Sequence, residues 1–288
     1  EVKLATISDV TMTVHSQGIV TPLTETELSS PVSGRVVSVN PRLHAGGFFR
    51  KGEQLLEIEK TRYEAVLASS GAAVARARLE LQKIEASAKQ AEQDWQKLGS
   101  GKASSLALYK PQLEEARATL EAEKAAYQVA QRDLADTSVV APYDCRVRSV
   151  AASLGGYLDG GEPIASVFSI DAAEVRLPVG SDDLSYLDVD VWGEALSSAR
   201  PLEVSLKAYI RGQQLRWDGR IIRSEGTIDP TNRQTYLVAR IDDPYDRLGS
   251  GNPVLPAGQH VQAEIRGRNI DGVVKLPALA LVDRNSVM

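Results

Sequence analysis

The sequence predicts a mainly β protein carrying one long α-helical hairpin. The expected architecture is an elongated multidomain chain: a split β-sandwich, an antiparallel coiled-coil hairpin, a small β-barrel and part of a further β domain. Three observations predict it. A strand-and-turn motif occurs twice, with a long stretch between the copies. That stretch carries a heptad of apolar residues. Most of the remainder alternates apolar and polar residues in short runs.

The first copy of the motif reads Pro31-Val32-Ser33-Gly34-Arg35-Val36-Val37-Ser38-Val39, then Gly46-Gly47-Phe48, then Gly52-Glu53. The second reads Pro142-Tyr143-Asp144-Cys145-Arg146-Val147-Arg148-Ser149-Val150, then Gly155-Gly156-Tyr157, then Gly161-Glu162. Each copy reads as several short strands punctuated by glycine. Gly46-Gly47 and Gly155-Gly156 mark turns, since glycine reaches positive φ without a steric penalty. Lys51-Gly52 and Gly160-Gly161 mark a second turn in each copy. Cys145 stands where the first copy has Gly34, which predicts a buried thiol.

Between the copies, one seam runs Tyr63, Leu67, Ser70, Val74, Ala77, Leu81, Ile84, Ala88, Ala91, Trp95, Leu98. Its steps alternate four and three, the signature of a packed helix. A return seam runs Leu106, Tyr109, Leu113, Ala116, Leu120, Glu123, Tyr127, Ala130, Leu134, with Glu123 the polar exception. The link between them holds two glycines and three serines, and a link so short makes the helices antiparallel. Pro111 leaves two options: it kinks a helix already under way, or it is the first helical residue behind a looser tip. The seam is rich in alanine. A buried Leu or Ile contributes roughly 1.5–3 kcal/mol and alanine much less, so the outer faces are expected to meet neighbours, copies of the same hairpin. A lone solvated coiled coil is the alternative. Trp95, on the seam near the tip, is read as core packing or as partner contact.

Residues 2 to 28 alternate as strand, with Val10-Thr11-Met12-Thr13-Val14 typical. Strand patterns return after Ile170, as in Leu202–Tyr209, Tyr236–Ile241 and His260–Ile265, spaced as in a small barrel. Ser181–Leu187 reads as one short helix, with Ser181 as its N-cap and acidic residues in its first turn. Val273–Pro277 reads as the exit into a domain shared with residues 1 to 10.

Composition excludes several classes of function. The net charge of −5 and pI near 5.4 argue against nucleic acid, which requires a basic surface. One cysteine excludes an internal disulfide and a cysteine-based zinc site. His15, His44 and His260 are scattered without ligand spacing, so no metal is expected. No Ser-His-Asp pattern, phosphate-binding loop or carboxylate pair stands in a cleft context, so neither catalysis nor a cofactor is expected. No stretch approaches 18 apolar residues, and no leader peptide opens the chain. The chain is therefore read as a piece of a longer protein, trimmed at both ends, with any membrane anchor outside it.

These residues resemble the periplasmic adaptor proteins, or membrane fusion proteins, of tripartite efflux pumps, in the branch serving resistance-nodulation-division transporters. Val32–Val36 with Arg50–Ile58 resembles the first half of the family's lipoyl domain. Leu134–Pro142 resembles the return from the hairpin into the second half. Asp229-Pro230-Thr231-Asn232-Arg233-Gln234-Thr235, followed by Leu255–Gln259, resembles the barrel signature, and Leu276–Leu279 the entry to the membrane-proximal domain. The resemblance divides the chain into 1–28 (membrane-proximal and barrel strands), 29–60 (lipoyl half 1) and 61–136 (hairpin). It continues with 137–169 (lipoyl half 2), 170–268 (barrel) and 269–288 (truncated membrane-proximal domain).

The resemblance implies a non-catalytic periplasmic subunit, anchored to the inner membrane of a Gram-negative bacterium. Its partners would be an inner-membrane transporter of that type and an outer-membrane channel, with six copies by analogy. At the tip the family carries an arginine, a leucine and a serine. Leu98 and Ser105 match the last two, while Asp94 reverses the charge of the first. Asp94, Trp95, Leu98 and Ser105 are thus the expected partner-binding residues. Gly46, Gly47, Gly155 and Gly156 are the expected loops of a lipoyl ring. Three rivals share parts of this pattern: an adaptor of an ATP-driven exporter, a biotinyl or lipoyl carrier subunit modified at Lys60, and a coiled-coil scaffold without transport.

Overall fold

The computed structural model describes residues 7–98, 104–187, 202–249, 251–274, 281–283 and 286–287. The first half of the chain runs through strands β1 (Ile7–Pro22), β2 (Glu25–Ser29), β3 (Gly34–Val39), β4 (Phe48–Phe49) and β5 (Gln54–Ile58). Helices α1 (Thr61–Leu98) and α2 (Lys110–Asp136) follow. Then come β6 (Ser138–Val140), β7 (Cys145–Val150), β8 (Tyr157–Leu158), β9 (Pro163–Ser169), β10 (Ala172–Gly180) and the single turn α3 (Ser181–Leu184). The chain continues as β11 (Glu203–Ile210), β12 (Gln213–Ile228), β13 (Gln234–Asp242), β14 (His260–Val274), β15 (Leu281–Asp283) and β16 (Ser286–Val287). These elements form two compact units, Thr26–Val167 and the remainder.

In the first unit, two four-stranded sheets, β2-β9-β7-β4 and β6-β5-β3-β8, share one core. The two motif copies are interleaved. Strand β3 of the first copy pairs with β8 of the second, and β7 of the second pairs with β4 of the first. The backbone bonds repeat pairwise. Gly46 N–H donates to Val147 O at 2.8 Å, as Gly155 N–H does to Val36 O at 2.9 Å. Gly52 N–H donates to Ala141 O at 2.7 Å, as Gly161 N–H does to Ser30 O at 2.7 Å. The unit is a quasi-twofold object in which neither copy closes a core without the other. Phe49, Leu55, Ile58, Ile164, Val167 and Cys145 are all fully buried between the sheets.

Cys145 occupies the place of Gly34, and the residue facing each of the two positions differs in size. A Cβ on Gly34 would lie 2.6 Å from Ile58 Cγ2. The quasi-equivalent of Ile58 is Val167, one methylene smaller, and there the chain carries a cysteine. Burial and the nearby Asp144 charge push the Cys145 thiol up to about 11. Since the thiolate is the nucleophile, a thiol reagent at pH 8 is expected to label the folded protein only at the rate of its unfolding. Full labelling in denaturant and near-zero labelling without it is the check.

Helices α1 and α2 pack on each other, and the seam read from the sequence is their contact. From Tyr63 to Trp95 its positions are half-buried or buried, while Gly71 and Ala73 alone among the other residues of that stretch are shielded. Gly71 lies against the Tyr127 ring, 3.5 Å from the point where a Cβ would stand. Ala77, Ala116, Leu120 and Ala130 are buried. The return seam begins later than expected. Pro111 stands in the first helical turn, so α2 starts at Lys110. Leu106 and Tyr109 precede the helix and leave the seam, at 67% and 39% exposed. The base of α1 is tied down by Tyr63, whose hydroxyl donates to Ser33 O at 2.7 Å.

In the second unit six strands close a barrel in the order β1-β10-β13-β12-β11-β14. Alternate residues point inward: Val175, Leu177 and Val179 from β10, Val204 and Leu206 from β11, Val261, Ala263 and Ile265 from β14. Trp217 joins them, its indole N–H donating to Pro253 O at 2.6 Å. β14 passes residue 268 and still pairs with β1, through Ile7↔Val274. The N-cap of α3 is Gly180, with extended φ −70° and ψ 155°, and Ser181 is already helical. The expected Ser181 cap is corrected for that reason: β10 runs straight to Gly180, so the helix begins one residue earlier than a serine cap requires.

Candidate docking sites

The chain enters α2 through a structured turn, residues 104 to 109. Ser104 Oγ accepts from Ala107 N–H at 3.1 Å, and Lys110 N–H donates to Ser105 O at 3.0 Å. Tyr109 adopts the left-handed region, φ 57° and ψ 21°, and its carbonyl accepts from Leu113 N–H at 2.9 Å. A left-handed tyrosine is strained. Pro111 next to the helix start is what forces the chain to turn there rather than earlier. The result is a polar turn that holds Leu106 and Tyr109 out in solvent.

Of the expected tip residues, Asp94 and Trp95 sit in the last turns of α1, and Ser105 lies exposed in the turn. Asp94 is exposed, accepts from the Gln90 amide at 3.1 and 3.0 Å, and faces Lys97 at 3.8 Å. Trp95 is half-buried. The side chain of Leu98 and residues 99–103 lie outside the described residues. Leu106 and Tyr109 went unmarked as candidate tip residues because their spacing fits the seam. Pro111 was the signal that could have excluded them from it.

The expected loop glycines lie at the two quasi-equivalent turns of the first unit. Gly46 and Gly155 have φ 85° and 80°. Gly47 packs so tightly that a Cβ there would lie 2.0 Å from Arg42 O. Lys60 is exposed, pairs with Glu57 at 3.2 Å, and its carbonyl accepts the first helical bond, from Glu64 at 2.9 Å.

A shallow basin of about 620 Å³ lies over the outer face of β14, β11, β12 and β13. Its charges pair off: Arg216 with Asp218 at 3.2 Å, Arg220 and Arg240 with Asp242 at 3.1 and 2.8 Å, and Arg266 with Glu203 at 3.3 Å. Such a wall presents no unbalanced field to a small ligand. Among the described residues no group of three His, Cys, Asp or Glu side chains converges on a metal position, and no helix is long and apolar enough to cross a membrane.

This architecture has relatives of known structure. A chimeric MacA-MexA protein containing the Pseudomonas aeruginosa MexA α-hairpin domain matches with a TM-score of 0.65 at 18% identity, over 99% of this chain and 91% of that one. The membrane fusion protein Spr0693 from Streptococcus pneumoniae matches with a TM-score of 0.61 at 18% identity, over 88% of this chain and 99% of that one. The chain has the fold of the membrane fusion proteins. MacA from Actinobacillus actinomycetemcomitans shares that fold, with a TM-score of 0.59 at 17% identity, over 98% of this chain and 86% of its own. No family model matches the sequence. The curated multidrug resistance protein MdtA of Pantoea ananatis is 24% identical over 278 residues, 93% of this chain. The chain spans 62% of the length of that relative.

Proposed function

We propose that this chain is the periplasmic adaptor of a tripartite efflux pump. It joins an inner-membrane transporter of the resistance-nodulation-division type to an outer-membrane channel, and is itself not a catalyst. The observation that carries this reading is the way the sandwich launches the helical pair. β5 and β6 are neighbours in one sheet, and the chain leaves by one and returns by the other. A helix of 38 residues extends about 57 Å at 1.5 Å per residue. A coiled-coil hairpin of that length exposes Leu106 and Tyr109 at its end, where no neighbouring core requires them. In this reading the tip, with Asp94, Trp95, Leu98 and Ser105, docks into grooves between channel helices.

A second feature supports assembly from several copies, six by analogy. α1 carries an exposed stripe of Ala65, Ala68, Ala72, Ala75 and Leu79, and α2 one of Ala118, Ala122, Ala125 and Val129. Both keep heptad spacing on the faces away from the seam. The Gly71–Tyr127 contact places them at the same height. Small side chains let helices approach closely, so α1 of one hairpin packs beside α2 of the next. The sandwiches then form a ring lined by the loops at Gly46-Gly47 and Gly155-Gly156. A segment outside this chain supplies the membrane anchor.

The test uses a strain whose drug resistance depends on this protein. Replacing Leu106→Ser together with Tyr109→Ser is expected to abolish resistance with the protein level unchanged, because neither side chain supports the fold. A cysteine at Ser105 is expected to crosslink to the channel. Full resistance in the double variant would count against docking at the tip.

A further inference from the structure

The quasi-twofold symmetry of the sandwich supplies an internal control on what each turn needs in order to fold. Arg50 corresponds to Asp159, Lys51 to Gly160, Arg148 to Val37 and Asp144 to Ser33. The bonds that hold the two turns are the same. Arg50 N–H donates to Glu53 Oε2 at 3.1 Å, as Asp159 N–H does to Glu162 Oε2 at 2.9 Å. Lys51 N–H donates to Asp144 Oδ1 at 2.7 Å, as Gly160 N–H does to Ser33 Oγ at 2.9 Å. All four donors are backbone groups, which any residue but proline supplies. The second turn closes with no cation at the places of Arg50, Lys51 and Arg148. Those three charges are surplus to the fold.

They also stand in an unbalanced field. Arg42 and Arg146 lie at the same turn, Arg42 paired with Glu53 and Arg146 donating through Nε to Gly46 O at 2.9 Å. Five cations thus meet two carboxylates, in a chain whose net charge is −5. Both carboxylates are tied to backbone, Glu53 at Arg50 and Asp144 at Lys51. Arg50, Lys51 and Arg148 are exposed. Among the described residues, neither Arg50 nor Lys51 has an ion-pair partner. Phe48 pairs with Arg146, so strand alternation puts Arg146, Arg148 and Arg50 on one face of the β4–β7 ladder. On the outer face of the barrel, by contrast, Arg216, Arg220, Arg240 and Arg266 each have an acid beside them.

We propose that this turn binds the exported compound, and that the compound is an organic anion bearing a carboxylate, sulfonate or phosphate group. Arg50 holds that group through its planar guanidinium, while Lys51 and Arg148 supply charge around it. The proposal rests on the adaptor reading, in which the Gly46-Gly47 loop beside these residues lines the ring. Several copies then set the same cations around one passage. A passage lined by one sign of charge concentrates the opposite ion. The adaptor thereby selects cargo by charge as well as bridging two membranes.

The test uses the whole 288-residue chain and a triple variant, Arg50→Asp, Lys51→Gly and Arg148→Val. These are the second turn's own residues at the matching places, so the variant keeps a turn that this sandwich already folds. The probe is 1-naphthalenesulfonate, with 1-naphthylmethylammonium as the cationic control and inorganic phosphate as the bare anion. Binding is followed by amide shifts in NMR titrations. The sulfonate is expected to shift Arg50, Lys51 and Arg148, and to bind the triple variant about tenfold more weakly. High salt is expected to weaken its binding to the parent chain. Equal binding of the ammonium, or equal affinity in the triple variant, overturns the proposal. Phosphate bound as tightly as the sulfonate means an adventitious ion only, and overturns it too. In the strain whose resistance depends on this protein, the triple variant is expected to lose about tenfold more resistance to anionic compounds than to cationic ones. Equal loss for both classes, with resistance abolished in the Leu106→Ser, Tyr109→Ser variant, overturns selection by charge and leaves the adaptor reading standing. Charge-selective loss, with full resistance in that tip variant, overturns tip docking and leaves the anion site standing.

Discussion

Replacing Gly47 by alanine is expected to unfold the sandwich rather than to perturb one loop. The new Cβ would lie 2.0 Å from the Arg42 carbonyl oxygen, 3.0 Å from His44 O and 3.2 Å from Arg42 C. All three are backbone atoms, so no side chain can swing aside. The Arg42–Gly47 turn would have to open, and two bonds go with it: Gly47 N–H to His44 O inside the turn and Val147 N–H to Gly47 O from β7. A loss of more than about 3 kcal/mol is expected, a large part of the roughly 5–15 kcal/mol that holds a typical domain. Gly46→Ala is the control. Gly46 has φ 85°, but the nearest atom to its Cβ is Arg146 Nη2 at 3.9 Å, so it pays only the left-handed penalty of about 1–2 kcal/mol. Hydrogen exchange across Thr26–Val167 separates the two. Gly47→Ala should lose protection throughout that unit, and Gly46→Ala only near the turn. Comparable protection in both variants would show that the close approach is not what fixes this turn.

Much of this fold was legible in the sequence for that same reason. A turn that takes positive φ at one residue and brings backbone close to the next favours glycine at both, so Gly46-Gly47 and Gly155-Gly156 mark the two copies even where other residues have drifted apart. The helical seam was legible because its spacing is local and repetitive. Three things were hidden. Leu106 and Tyr109 fit the heptad spacing but precede the helix, and only the position of Pro111 told the difference. The barrel order was not readable, because its closure joins β1 to both β10 and β14 across most of the chain. The Gly34–Cys145 difference looked like a departure from pattern until the neighbours Ile58 and Val167 were placed beside it. The tip residues Asp94, Trp95, Leu98 and Ser105 came from resemblance alone, and exposure by itself does not choose among them. The unlike surfaces at the two turns were present in the sequence, yet they became comparable only once the symmetry paired residue with residue.

That last pairing yields a second large effect. Gly34→Cys places a Cβ 2.6 Å from Ile58 Cγ2, in a core where Ile58 and Leu56 are almost wholly buried. Overpacking of this kind costs about 3 kcal/mol at the upper end of its usual range. Ile58→Val alone removes one methylene and is expected to cost about 1 kcal/mol. Together the two substitutions recreate the pair found in the second copy, Cys145 with Val167, which packs with both residues fully buried. Ile58→Val keeps Cγ2 and removes only Cδ1, so relief in the double variant comes from the shorter side chain shifting into the space that Cδ1 filled. With that shift the double variant should be more stable than Gly34→Cys alone, with a coupling of at least about 1 kcal/mol between the sites. Denaturant unfolding of the three variants and the parent chain closes the cycle. Strict additivity would mean that the two halves do not share a packing rule, and that the glycine is held by its backbone rather than by the size of its neighbour. A positive coupling would show that the copies have diverged by exchanging volume between facing residues. The quasi-twofold core would then tolerate change only in compensating pairs, since each half supplies strands that close the core of the other.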